Sequence, residues 1–134
     1  MNKKPTIGYF PGVWDFLHAG HCLALEEAKQ HCDYLIVGLG ENPQIGNPTK
    51  NIPVMSLEER YRMLRANKFV DAIVVYGTEY ESKAIDIWFP YDVRFLGEDH
   101  KKEDLPHIKK PMYFTKRDHN YSSTNLRKRI CTHF

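Results

Sequence analysis

Six consecutive residues, Tyr34-Leu35-Ile36-Val37-Gly38-Leu39, constrain this chain more than any other stretch. The run carries no polar side chain on an alternate position. That pattern marks a strand covered on both faces, which is the situation inside a parallel sheet. Other short apolar runs predict partner strands over Ile7–Phe10, closed by Pro11-Gly12, and over Ala72–Tyr76, Val93–Leu96 and Met112–Phe114.

Helical periodicity falls between these runs. Cys22, Leu25, Ala28 and Cys32 share one face of a helix predicted over Cys22–Cys32. Ser56 and Glu59 form a capping-box pattern that opens a helix reaching about Lys68, with Leu57, Tyr61 and Leu64 on its apolar stripe. A short helix over Glu81–Phe89 is expected to face inward through Ala84, Ile85 and Trp88 and to stop at Pro90. Ser122-Ser123-Thr124 supplies cap candidates for a last helix with Leu126 and Ile130 inward. Strands alternating with helices predict an α/β chain: a doubly wound, Rossmann-like sheet of about five parallel strands, in one domain over residues 1–134.

In such sheets ligands bind beyond the carboxyl ends of the strands, where strand order reverses. The glycine-rich and charged loops follow Phe10, Leu39, Leu96 and Phe114, so topology predicts that they converge on one crevice. The first of them, Gly12-Val13-Trp14-Asp15-Phe16-Leu17-His18-Ala19-Gly20-His21, joins a strand to a helix start. Backbone N–H groups and the positive end of a helix meet at such a point, which suits a phosphate. The polar stretch Gly40–Pro53, with Pro43, Gly46 and Pro48, is long for a compact domain and is expected to be a functional loop or lid.

Composition narrows the class. A net charge of +2 over 134 residues is too small for a general nucleic-acid binder. Cys22, Cys32 and Cys131 form no CxxC pair and fit a reducing, cytoplasmic compartment. No run approaches membrane-spanning length, and no membrane anchor is expected. There is no GxxxxGK[ST], GxGxxG or GxSxG, so P-loop, dinucleotide-fingerprint and serine-elbow chemistry are absent from the expectations.

The candidate residues carry competing explanations. His18 and His21 are a metal pair at i, i+3, caps of a plain turn, or donors to an anionic oxygen. Lys50 is a solvated lysine or a phosphate ligand on the long loop. Asp99 holds a metal, a ribose hydroxyl or a turn. Ser122, Ser123 and Thr124 cap a helix or, following Arg117, offer N–H groups and hydroxyls to phosphate.

Taken together, these segments resemble the HxGH nucleotidyltransferase superfamily, and within it the cytidylyltransferases that make CDP-alcohols. Residues 12–21 are similar to that family's G-x-[FY]-D-x-x-H-x-G-H signature. Lys50–Arg60, KNIPVMSLEER, resembles its lysine loop and E-E-R helix, and the likeness to ethanolamine- and glycerol-phosphate cytidylyltransferases continues through Lys68 and Val70-Asp71 to Val75. Gly97-Glu98-Asp99-His100 is similar to the G-x-D loop, and Arg117–Thr124 to R-T-x-G-I-S-[ST]-T. In that last motif Asp118, Asn120 and Tyr121 replace the usual Thr, Gly and Ile, and the YSST form is also close to the ISST of pantetheine-phosphate adenylyltransferases.

The resemblance implies transfer of CMP from CTP to a phosphorylated alcohol, with pyrophosphate released and Mg²⁺ carried by the triphosphate rather than by protein ligands. It implies catalytic roles for His18, His21, Lys50 and Arg117, and nucleotide binding by Gly12, Val13, Trp14, Gly20, Asp99, Ser122, Ser123 and Thr124. Asp15 is expected to orient the turn or bind the acceptor, and the assembly to be a homodimer. An adenylyltransferase using ATP and a catalytically weak nucleotide-binding regulatory domain are the alternatives.

Overall fold

The computed structural model describes residues 4–42, 52–101 and 103–133. Five strands form one sheet: β1 (Ile7–Gly12), β2 (Tyr34–Gly40), β3 (Ala72–Tyr76), β4 (Val93–Gly97) and β5 (Met112–Thr115). Their order is β3-β2-β1-β4-β5 and every pairing is parallel. The order reverses between β1 and β4, which opens a crevice at the carboxyl ends of these two strands. The doubly wound α/β architecture predicted from strand–helix alternation is the one found.

Alternate side chains of each strand enter separate cores, as the pleat requires. Phe10, Leu35, Val37, Leu39 and Phe95 pack on one face against Leu25 and Ala28 of α1 (Ala19–Lys29) and Leu64 of α2 (Leu57–Arg65). Tyr9, Ile36 and Tyr91 face the other way, against Ile85 of α3 (Glu79–Trp88) and Phe89 just beyond it. Leu25, Leu35, Leu39 and Leu64 are fully buried, so truncating any one to Ala costs about 2–5 kcal/mol.

Several boundaries and faces differ from the sequence expectation. β1 continues through Pro11 to Gly12, because its pairing with β4 is confined to Gly8 and Tyr9 and no ladder bond to that neighbour is lost at Pro11. The first helix starts at Ala19 and ends at Lys29, so His18 and His21 belong to its first turn and Cys32 lies beyond it. α2 ends at Arg65, and α3 begins at Glu79 after the Thr78 cap.

Trp88 was expected inward and is 82% exposed; Ile130, on α4 (Ser123–Thr132), is 43% exposed. Trp88 is displaced because Asp86 takes the inward position. Its carboxylate accepts from Arg94 Nε at 2.8 Å and lies 3.0 Å from His107 Nε2. Tyr91 Oη donates to the Asp86 carbonyl at 3.0 Å. α4 has no buried residue, so its apolar side chains never had a core to enter.

Candidate active site

Between Gly12 and α1 the chain makes a turn with three non-glycine residues at positive φ: Trp14 (57°), Phe16 (68°) and Leu17 (33°). Such conformations are uncommon outside glycine and cost of order 1–3 kcal/mol each, so they persist only where neighbours over-determine them. Trp14 is buried and donates Nε1–H to the Gly38 carbonyl at 2.9 Å. Phe16 N–H donates to Met55 Sδ at 3.2 Å. The Asp15 carboxylate, itself buried, accepts from Val54 N–H at 2.8 Å, Met55 N–H at 3.0 Å and an Arg127 amino group at 2.9 Å. Asp15 thus ties the turn to the approach to α2 and to α4. It does not line the crevice.

The turn delivers His18 to the N-cap of α1 and His21 to its third position. His18 Nδ1 accepts from Gly20 N–H (3.1 Å) and His21 N–H (3.4 Å), while His21 Nδ1 accepts from His18 N–H (3.3 Å). This is a capping box built from two imidazoles. An Nδ1 that accepts has no proton, so each neutral ring carries its hydrogen on Nε2. The rings stack with centroids 3.8 Å apart, and Trp14 meets His21 edge-on at 5.2 Å. Burial, then the neighbouring His18, lowers the His21 pKa to about 3. Burial, followed by the charges of His119 and Arg117, also lowers that of His18. Both rings are therefore neutral donors at physiological pH.

The crevice has a volume of about 350 Å³. It brings together Gly12, Val13, Trp14, His18, Gly20, His21, Asp99, Arg117, Ser122, Ser123 and Thr124, the sequence-derived candidates other than Asp15 and Lys50. Lys50 lies outside the described residues.

Arg117 donates to the Asp99 carboxylate at 2.9 Å, and its backbone N–H donates to Glu98 at 3.0 Å, which fixes it across the mouth from β4. Ser122 caps α4 by accepting from Asn125 N–H at 3.0 Å. Ser123 and Thr124 open the helix, so their amides belong to the first turn, whose N–H groups have no intrahelical partner. Ser123 Oγ also donates to the Asp15 carbonyl at 3.4 Å.

In the sequence Arg60 stands only as the end of the E-E-R segment, with no role of its own assigned. It is 2% exposed, and its guanidinium donates to the carbonyls of Val13 (2.9 Å), Gly40 (2.6 Å), Glu41 (2.8 Å) and Met55 (3.1 Å). One side chain thus gathers the ends of β1 and β2 and the approach to α2. The signal was present: with Leu57, Tyr61 and Leu64, Arg60 falls at i+3 on the apolar stripe of α2.

The sequence matches the family model described as cytidylyltransferase-like over residues 9–129, a span holding every described residue of the crevice. The chain belongs to the cytidylyltransferase-like family. It is 30% identical to a probable ethanolamine-phosphate cytidylyltransferase of Encephalitozoon cuniculi, over 98% of this chain and 42% of that protein. It is 33% identical to bifunctional protein HldE of Granulibacter bethesdensis, over 75% of this chain and 21% of that protein. The chain therefore spans roughly a fifth to two fifths of the length of these family relatives. A lipopolysaccharide core biosynthesis protein from Thermoplasma volcanium superposes with a TM-score of 0.61 at 21% identity, covering 96% of this chain and 88% of that one, which establishes the shared fold. Among the described residues, no helix is long and apolar enough to cross a membrane.

Proposed function

We propose that the protein is a nucleotidyltransferase that moves CMP from the magnesium complex of CTP to the phosphate of a phosphorylated alcohol. One observation carries the proposal: two neutral imidazoles with protons fixed on Nε2 share a crevice with Arg117 and the first turn of α4. The family match and the relative named as a probable ethanolamine-phosphate cytidylyltransferase support CTP as the donor.

In the proposed reaction an oxygen of the acceptor phosphate attacks the α-phosphorus. The bond to the α,β-bridging oxygen breaks, and its electron pair leaves with pyrophosphate. The attacking phosphate is already ionised, so no protein base is required. The work left to the protein is alignment and neutralisation of charge. His18 and His21 donate Nε2–H to oxygens around the α- and β-phosphates as charge grows on the leaving group, without the loss of a proton. Arg117 and the α4 amides receive the pyrophosphate end, with Ser123 and Thr124 at the same helix start. Lys50 is a further phosphate ligand in this proposal.

Among the described residues, no group of three or more His, Cys, Asp or Glu side chains is placed to hold a metal. In the proposed reaction Mg²⁺ arrives with its substrate, bound by phosphate oxygens and water. Asp15, buried away from the crevice, orients the turn. The expected assembly is a homodimer.

The test is a matrix of CTP, ATP and GTP against glycerol 3-phosphate, phosphoethanolamine, phosphocholine and sugar phosphates, read by pyrophosphate release. Release with CTP and one of these acceptors is expected. Release only with ATP would replace the donor, and no release with any pair would leave a nucleotide-binding domain without transferase activity.

A further inference from the structure

Two further histidines line the same crevice: His100, whose Nδ1 lies 2.7 Å from the Glu103 carboxylate, and His119. His119 is half-buried among the crevice residues, and its Nδ1 accepts from Tyr121 N–H at 3.2 Å. Like His18 and His21, it therefore carries its proton on Nε2 when neutral. The ring is held on its face by Tyr121, with centroids 5.3 Å apart and planes at 27°.

Gly20 explains how it comes so close to the pair. A Cβ at Gly20 would lie 2.9 Å from His119 Cε1, 2.9 Å from His18 Cε1 and 2.9 Å from the Tyr121 carbonyl oxygen. Only a residue without a side chain lets both imidazoles and this backbone close on the first turn of α1. Cε1 lies between Nδ1 and Nε2, so the Nδ1–Cε1–Nε2 edge of His119 faces the first turn of α1; Nδ1 is taken by Tyr121 N–H, which leaves Nε2–H as the donor on that edge.

From this geometry we infer that His119 is a third imidazole donor of the site, binding a phosphate oxygen of the nucleotide through Nε2–H. The inference rests on the proposed function for the identity of the anion. It assigns a specific role to a residue inside the segment Arg117–Thr124, where this chain departs from the R-T-x-G-I-S-[ST]-T pattern.

Two substitutions separate this role from a purely structural one. Asn places a carbonyl oxygen where Nδ1 lies, which can keep the bond from Tyr121 N–H while removing the Nε2 donor. Gln reaches the Nε2 position with an N–H group. Calorimetric titration of magnesium pyrophosphate and of CTP into wild type, His119→Asn and His119→Gln should show a loss of about tenfold or more for Asn, as for a hydrogen bond to a charged group, and near-wild-type affinity for Gln. Wild-type affinity in the Asn variant, or equal losses in both, would overturn the inference.

Pyrophosphate release in the wild type reads the proposed function separately. Binding without transfer would refute that function and leave the His119 contact standing. Absence of binding of either ligand to the wild type would refute both.

Discussion

His18 and His21 each accept the other's backbone N–H through Nδ1, at 3.4 and 3.3 Å respectively. The reciprocity fixes both tautomers from within the helix turn, so no outside carboxylate is needed to orient them. It also separates two roles that an alanine substitution would remove together. Asn is among the best N-cap residues, so His18→Asn should keep the turn while deleting the Nε2 donor. We expect turnover to fall by about 10²–10³, with the thermal midpoint close to wild type. Wild-type turnover in a folded His18→Asn protein would remove His18 from the reaction.

Neutral rings make a pH prediction. Both imidazoles have pKa values below the ordinary histidine value, His21 at about 3. The unfolded chain therefore binds more protons than the native one at pH values below about 6.5, and stability falls as pH drops from there towards 3. Proton NMR titration should find the His21 ring signals unshifted between pH 8 and 6 and the His18 midpoint below the ordinary histidine value. A normal midpoint near 6.5 for either ring would contradict the buried, accepting geometry.

Asp15 and Arg60 predict stability effects. Asp15 holds three donors, including Arg127 on α4, and Asp15→Ala leaves all three without their acceptor. A loss of about 2–4 kcal/mol is expected in urea unfolding, below the full cost of a deeply buried pair because Arg127 is partly exposed. Arg60→Met should cost a similar amount, about 2–4 kcal/mol, since it strips four carbonyls of one guanidinium. Unchanged unfolding midpoints, with a rise only in the acceptor KM, would make Asp15 an acceptor ligand instead.

On the opposite face of the sheet, Asp86 and Arg94 form a pair whose side chains are only 3% and 9% exposed. Asp86→Ala strands a buried guanidinium and should cost about 3–5 kcal/mol, by urea unfolding. The nucleotide KM of the protein that remains folded should be unchanged. A large KM effect at low temperature would mean that the two faces of the sheet are coupled.

The strands were legible because their apolar runs are short and bounded by loop residues, and because Leu35, Val37 and Leu39 on one face and Ile36 on the other fill real cores. The crevice was legible through the loops that topology gathers at one sheet edge. What escaped were polar side chains doing structural work inside. His18 caps a helix although histidine is a poor cap by propensity, so the helix start was read three residues late, at Cys22 instead of Ala19. Arg60 and Asp86 occupy inward positions that hydrophobic periodicity assigns to apolar residues, and Asp86 displaced Trp88 to the surface. His119 falls at the unconstrained x position of the R-T-x-G-I-S-[ST]-T pattern, which assigns it no role. Its proximity to His18 follows from the missing side chain at Gly20, a contact 99 residues away in sequence that no local pattern encodes.

The most direct test of nucleotidyl transfer follows CTP, Mg²⁺ and a phosphorylated alcohol by ³¹P NMR with the purified protein. The expected result is pyrophosphate and a new CDP-alcohol diphosphate signal, growing in equal amounts and only when both substrates are present. Pyrophosphate in the absence of the acceptor, or no change in any signal with any phosphorylated alcohol, would contradict it.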